Sequence, residues 1–319
     1  MSDITPATCP HTDDIIYHIK ASEKDIADNI IVVGDPERVP KIADQIFDKS
    51  KEIFHVTHRG LCTMTGYTKN GLRVSVVTHG IGTGSAEVVI NELLILKMVD
   101  IKNLKVLREE PENYINIVRI GTSGALQEDT ELGTAIVTKF AIGLDNTGLY
   151  YDIPCDCEDS KKLEEILVEK INENIDDGRR FKGKIHPYVS MTDATLRNAL
   201  VEAAKETGLK YKVGMTVSAP GFFGCQGRKI LPNVPLTINV IENVFKTIDF
   251  DGVKPENFEM EASLISFLTQ PFKKVRGGCI CMAIANRIKN TFAEDPEKTL
   301  KNCVDTVILA FQKLNSKNN

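Results

Sequence analysis

Short β-branched runs alternate along this chain with segments of helical spacing, and that alternation constrains the fold more than any other property of the sequence. The run 30–33, Ile-Ile-Val-Val, carries no polar face, as expected of a strand buried on both sides. Runs at 72–78, 114–119, 133–138, 211–217 and 278–284 read as further strands. Between them lie helical patterns at 86–98, 163–171 and 195–207, and a last one whose apolar positions Leu300, Val304, Val307, Ile308, Phe311 and Leu314 share one face. Asp35-Pro36 marks another helix start, with proline early in the first turn. Strands alternating with helices predict a three-layer α/β domain with helices on both faces of a sheet. The polar stretches 105–112 and 172–184 read as surface insertions, and residues 1–14 as a flexible N-terminal arm before a single domain over 15–316.

With 319 residues, 42% of them hydrophobic, the chain is long enough to bury a sizeable core. Its net charge of -5, with the two signs interspersed, argues against a nucleic-acid or anionic-membrane surface, since counterion release needs clustered Lys and Arg. No apolar run reaches the roughly 18 to 20 residues that span a bilayer, and the first residues lack a signal-peptide pattern, so a cytoplasmic protein is expected. Eight scattered cysteines fit a reducing compartment. Cys155-Asp-Cys157 and Cys279-Ile-Cys281 lack zinc-knuckle spacing, so no metal is expected; if Cys279 and Cys281 lie on a strand, both thiols face one side.

Three groups of residues carry chemistry. Gly34, after the first strand, allows close backbone approach, and Arg38 in the following helix can fold back over the same spot. Arg119, read as leaving a strand end beside Gly121, Thr122 and Ser123, can complete an anion nest with their amides and hydroxyls. Arg38 alone would be an ordinary helix arginine; the paired strand-end loops make phosphate the better assignment. Glu261 can accept hydrogen bonds from two vicinal hydroxyls, though a carboxylate there also suits a helix start. In Phe222-Phe223-Gly224-Cys225-Gln226-Gly227-Arg228, the Gln226 amide and Arg228 fork match the O2, N3–H and O4 edge of uracil, and Phe222 or Phe223 can cover the ring.

The order and spacing of Gly34-Asp35-Pro36-Glu37-Arg38, Arg119-Ile120-Gly121-Thr122-Ser123-Gly124, the Gln226/Arg228 loop and Phe258-Glu259-Met260-Glu261 resemble the nucleoside phosphorylase-I family, on its uridine-directed side. The resemblance runs from about His18 to the C-terminal helix. It implies a single-domain α/β/α sandwich around a mixed, partly barrel-like sheet. It implies reversible phosphorolysis of uridine to uracil and ribose 1-phosphate, with phosphate as co-substrate and no cofactor. By this likeness Gly34, Arg38, Arg119 and Thr122 hold phosphate, joined by Arg59 from a neighbouring subunit. Thr122, Ser123, Gly124, Glu259, Met260 and Glu261 surround the ribose, with His18 reaching across the interface to the 5'-hydroxyl. Phe222, Phe223, Gln226, Arg228, Asn286 and Arg287 take the uracil. Arg119, Gln226, Arg228 and Glu261 are then the catalytic set, in a homo-oligomer of at least two chains with shared sites. Asn286 stands where purine enzymes of the family carry an aspartate for N7.

Two departures accompany the likeness: Gly60 follows Arg59 where potassium-binding relatives place a glutamate, and Cys225 occupies a usual glycine. The remaining alternatives are a purine nucleoside phosphorylase, a hydrolytic nucleosidase and a nucleoside-binding protein on the same fold. A dinucleotide-binding enzyme is disfavoured, because Gly80-Ile-Gly82-Thr-Gly84-Ser85 has Ser85 at the last glycine of the fingerprint.

Overall fold

Each all-apolar strand in this protein feeds two cores. In the first large strand, β1 (Asn29–Val33), Ile31 and Val33 pack on one face and Ile30 and Val32 on the other, all without solvent exposure. That double burial is why the run shows no polar alternation. The computed structural model describes residues 4–155 and 157–318, without the side chains of 298, 299, 317 and 318.

Eleven strands form the main sheet. After β1 come α1 (Arg38–Ile46), β2 (Phe54–His58), β3 (Leu61–Tyr67), β4 (Arg73–Thr78), α2 (Thr83–Met98), β5 (Ile115–Ala125), β6 (Ala135–Gly143) and α3 (Glu158–Glu173). The chain continues through β7 (Tyr188–Met191), α4 (Ala194–Thr207), β8 (Tyr211–Ser218), β9 (Pro255–Glu259), α5 (Ala262–Thr269), β10 (Val275–Asn286), β11 (Thr291–Phe292) and α6 (Pro296–Asn318). Strands β5, β10, β6, β8 and β9 pair in a closed ring, because β5 bonds both β10 and β9. From β5 the sheet extends outward through β1, β4, β3 and β2. Parallel and antiparallel pairs are mixed. Helices α1, α4 and α6 supply one core, while α2 and α5 supply the other, giving the expected three layers around a barrel-like sheet.

Four features differ from the sequence expectation. The segment 119–124 is not a loop: β5 runs through Ala125, paired in parallel with β10 over its length. Its glycines provide room instead of a turn, since a Cβ on Gly121 would lie 2.9 Å from both the Arg119 guanidinium and the Cys281 sulfur. Arg119 therefore stands in mid-strand and not at a strand end. Pro36 precedes its helix, in a turn where Glu37 N–H donates to Asp35 Oδ1 (2.9 Å), and α1 begins at Arg38. The hairpin β2–β3 was not expected; its two-residue turn is Arg59-Gly60, with φ of 52° and 79°. The described part of the N-terminal segment, 4–14, includes the buried Cys9 and the start of a two-strand ladder, His11–Thr12 with Ile15–Ile16. The insertions at 105–112 and 172–184 lie mostly at the surface.

Candidate active site

The C-terminal ends of β1, β5, β8, β9 and β10 open into one cleft of about 450 Å³. Crevices outside the carboxyl ends of strands are where ligands bind in open α/β sheets. From the expected phosphate set, Gly34, Arg38, Arg119 and Thr122 all line it. So do Ser123, Gly124, Glu259, Met260 and Glu261 from the ribose set, and Phe222, Gln226 and Arg228 from the base set.

At the floor, Arg119 is only 5% exposed and is gripped on three sides. Its Nε donates to Glu259 Oε2 (2.7 Å), its Nη2 pairs with Glu261 Oε2 (2.6 Å), and its Nη1 donates to His79 Nε2 (2.9 Å). Burial alone would make this guanidinium easier to deprotonate, but Glu261 and Glu259 more than offset that and hold its pKa well above the usual value. Burial pushes the Glu261 carboxyl up to about 6 against the pull of Arg119, with Glu259 adding to the rise. Glu259 already takes part of the arginine's charge, which leaves less to stabilise the second carboxylate.

The two carboxylates have separate tasks. Glu259 accepts from the backbone N–H groups of Glu261 (2.8 Å) and Ala262 (3.0 Å), and from the Ser218 hydroxyl. It thus satisfies the start of α5, which removes the helix-capping explanation for Glu261. Glu261 Oε1 instead accepts from Gly82 N–H (2.6 Å) at the start of α2. The Gly80-Ile-Gly82 loop, rejected as a dinucleotide fingerprint, brings that N–H to the site. Beneath Arg119, Cys279 and Cys281 stand 3.5 Å apart and form a buried group with Glu259. Both Glu259 oxygens are occupied by the bonds just described.

On the base side, Arg228 lies 3.9 Å over the Phe222 ring and donates to the Phe222 carbonyl (2.7 Å) and to Gln226 Oε1 (2.5 Å). Gln226 Nε2 reaches the Gly221 carbonyl at 3.3 Å. Because Arg228 only donates, these contacts orient the amide with its oxygen toward the arginine. Burial, and then the charge of Arg287, lower the Arg228 pKa to about 10.

Five expected site residues lie outside the cleft wall. Phe223 is 59% exposed and meets Phe222 edge-on, so Phe222 alone of the two faces the cleft. Asn286 is a correction: Nδ2 donates to the carbonyls of Gln127 (2.9 Å) and Thr130 (2.8 Å), and Oδ1 accepts from Ile288 and Lys289 N–H, both at 2.9 Å. Those four bonds use the whole capacity of an amide side chain, so Asn286 fastens two loops and has nothing left for a base. Arg287 packs across Gly124 and donates to the Gln226 carbonyl (3.2 Å), supporting the 222–228 loop from behind. His18 and Arg59 gather elsewhere: Arg59 lies 5.7 Å from the Tyr17 ring, Tyr17 is edge-on to His18, and His18 Nδ1 is bound to Glu92 (2.6 Å). Sequence reasoning missed His79. A histidine at a strand end beside Gly80 carried no distinguishing pattern.

The chain belongs to the phosphorylase superfamily, whose model matches residues 28–314. It is 31% identical to a uridine phosphorylase of Thermococcus kodakarensis over 88% of this chain and 81% of that protein. It is 29% identical to a DeoD-type purine nucleoside phosphorylase of Shewanella loihica over 65% of this chain and 66% of that one. Among solved structures it resembles a Trypanosoma brucei nucleoside phosphorylase that shows uridine phosphorylase activity, with a TM-score of 0.83 and 28% identity over 96% of this chain and 99% of that one. A uridine phosphorylase of the oomycete Phytophthora capsici shares the fold, with a TM-score of 0.67 at 19% identity over 94% of each chain.

The bonding of Asn286 gives a test. Asn286→Ala strands two buried carbonyls and frees the 288–289 backbone, so thermal unfolding should show a loss on the order of 2 kcal/mol. Activity of the folded fraction, and its preference among bases, should stay within a few-fold of wild type.

Proposed function

We propose that this protein catalyses the reversible phosphorolysis of uridine to uracil and ribose 1-phosphate. The observation that carries the reading is one cleft that Arg38, Arg119, Glu261, Gln226 and Arg228 line together, with Arg228 donating to the Gln226 amide oxygen. The likeness to uridine-cleaving relatives supports it.

The chemistry follows from the side chains. Phosphate is the nucleophile, so the protein supplies placement and charge, not a covalent intermediate. Arg38 and Arg119 hold the anion on one side of C1' while Glu261 accepts from the vicinal hydroxyls. As the glycosidic bond lengthens, the sugar gains oxocarbenium character, which the phosphate stabilises. The leaving uracil gathers negative charge on O2 and O4, where Gln226 and Arg228 donate, so these contacts strengthen in the transition state. Gln226 Oε1, turned toward Arg228, can also accept from uracil N3–H. Cytosine offers a lone pair at N3 and an amino group at position 4, each facing its own kind, and is disfavoured. With Asn286 occupied by backbone, the choice of pyrimidine over purine rests on Gln226 and Arg228.

The active form is at least a homodimer in this reading. Arg59 holds φ of 52° at a hairpin tip where glycine or asparagine would be unstrained, and it sits beside Tyr17, 41% exposed, and His18. Glu92 engages His18 Nδ1 and leaves Nε2 for a neighbour's ribose hydroxyl. No further cofactor is required, and cytoplasmic pyrimidine salvage is the setting we propose. No helix among the described residues is long and apolar enough to cross a membrane.

Four experiments bear on this. In a nucleoside panel, free base should appear from uridine only with phosphate or arsenate, and cytidine, inosine and adenosine should be poor substrates; equal uracil release in phosphate-free buffer would sink the reading. Gln226→Ala and Arg228→Ala should each cost about 2 kcal/mol or more in kcat/KM for uridine.

Glu261 must be ionised to accept from both hydroxyls. Since its pKa is raised to about 6, kcat/KM for uridine should fall as pH drops below about 6. Glu261→Gln should have low activity and lack that limb; a limb unchanged in the variant would assign it to another group.

Shared sites predict complementation. Inactive Arg59→Ala and Arg228→Ala chains, mixed equally with exchange verified by tags, form about half mixed dimers with one intact site each. Roughly a quarter of wild-type activity should return. Verified mixed dimers without activity would place Arg59 outside a shared site.

A further inference from the structure

His79 has no solvent exposure and follows β4 directly, its backbone N–H donating to the Val33 carbonyl (2.8 Å). It thereby ties the end of β4 to the end of β1, one residue before Gly34. Its ring Cε1 would be 3.7 Å from a Cβ on Gly34, and its Nε2 is 2.9 Å from Arg119 Nη1. The imidazole thus stands between two pieces of the phosphate subsite that are distant in sequence, without itself lining the cleft.

The chemistry of this contact has one solution. A guanidinium only donates, so Nε2 must accept and the ring must be neutral with its proton on Nδ1. Nδ1 makes no hydrogen bond of ordinary geometry among the described residues, although the nearby Gly80 backbone favours its proton. Of the five N–H groups of Arg119, one goes to Glu259, one to Glu261 and one to His79. Two remain, one on each Nη.

We propose that His79 is a positioning residue for the phosphate arginine: as a neutral acceptor it takes one Nη1 N–H and so fixes which two donors Arg119 offers to phosphate. Without it, only the two carboxylates would orient the guanidinium, and both pull on Nε and Nη2. Glu261 has to turn part of its attention to the ribose when a nucleoside binds, which leaves Glu259 and His79 as the constant holders. This inference rests on the phosphorolytic reading, and the experiment below separates the two.

Steady-state kinetics with phosphate and uridine varied separately, together with calorimetric titration by inorganic phosphate alone, test it on His79→Phe, His79→Gln and His79→Asn. Phenylalanine keeps the ring but leaves a buried N–H unpaired. It should raise the KM and the dissociation constant for phosphate about tenfold or more while the KM for uridine stays within about twofold. Glutamine can place its carbonyl where Nε2 was and should recover phosphate affinity to within about threefold of wild type; asparagine is too short to do so and should resemble phenylalanine. If phenylalanine and asparagine leave phosphate binding unchanged, or if both substrates weaken alike with no rescue by glutamine, His79 is a packing residue and the proposal fails. A wild-type protein that binds phosphate but does not cleave uridine would overturn the proposed function, and the calorimetric comparison would still decide the role of His79.

Discussion

The site depends on a buried cation held by two buried carboxylates. Arg119, Glu259 and Glu261 are each at most 5% exposed, and breaking such a group by deleting one member typically costs about 3–5 kcal/mol, because the remaining charge is left uncompensated. A pair of well-packed apolar residues would be at least as stable there. Under the proposed function its retention makes sense as preorganisation: the charges and donors that phosphate and a ribose diol require are already desolvated and fixed before either arrives. Glu259 makes this possible by capping α5 and gripping Arg119 Nε together, leaving Glu261 directed at Arg119 and Gly82.

The topology explains how residues from five strands meet. Closing β5, β10, β6, β8 and β9 into a ring leaves β5 with partners on several sides, so its carboxyl end lies near those of β8 and β9. Arg119 from β5 and Glu259 from β9 are 140 residues apart and 2.7 Å apart in space. The price is a barrel interior and rim rich in polar groups, which bond to one another: Thr138 to Thr216 (2.7 Å), Thr216 to Asn257 (2.8 Å) and Thr130 to Glu256 (2.7 Å).

Those same polar groups decide what the sequence could disclose. Strands buried on both faces by apolar layers, such as β1, are legible because hydrophobic burial leaves a compositional mark. Strand β9, Pro-Glu-Asn-Phe-Glu, carries no such apolar mark although every residue is buried, since its carboxylates and amide bond partners visible only in three dimensions. The glycines of 121–124 likewise look like a loop, whereas one of them makes room for a guanidinium and a thiol. Arg38, Arg119, Glu261, Gln226 and Arg228 could be picked out in the sequence because their chemistry is unusual for their setting, and the structure brings them to one cleft. Asn286 is read as a base contact because it stands where purine enzymes of the family carry an aspartate, but its four hydrogen bonds go to backbone groups. Asn286 ends β10 and turns toward residues 127–130, while Arg287, in the turn that follows, reaches the Gln226 carbonyl.

Charge distribution completes the argument. The chain is acidic overall, at -5, yet Arg38, Arg119 and Arg228 line one cleft and Arg287 stands behind it. Arg228 and Arg287 repel, and burial weakens both as bases, but a pKa near 10 keeps Arg228 charged at neutral pH. Among the described residues no carboxylate pairs with either arginine, which leaves this repulsion without a counter-ion. An anion that develops at the base position relieves it, whereas a neutral nucleobase relieves little. In the proposed reaction that repulsion is released most in the step where the leaving base takes on charge, which would place the arginines' contribution on the transition state and not on substrate affinity. The Arg119 cluster works the opposite way, fully compensated at rest by Glu259 and Glu261. In the proposed reaction, one end of the cleft thus waits for an incoming anion and the other stabilises a departing one.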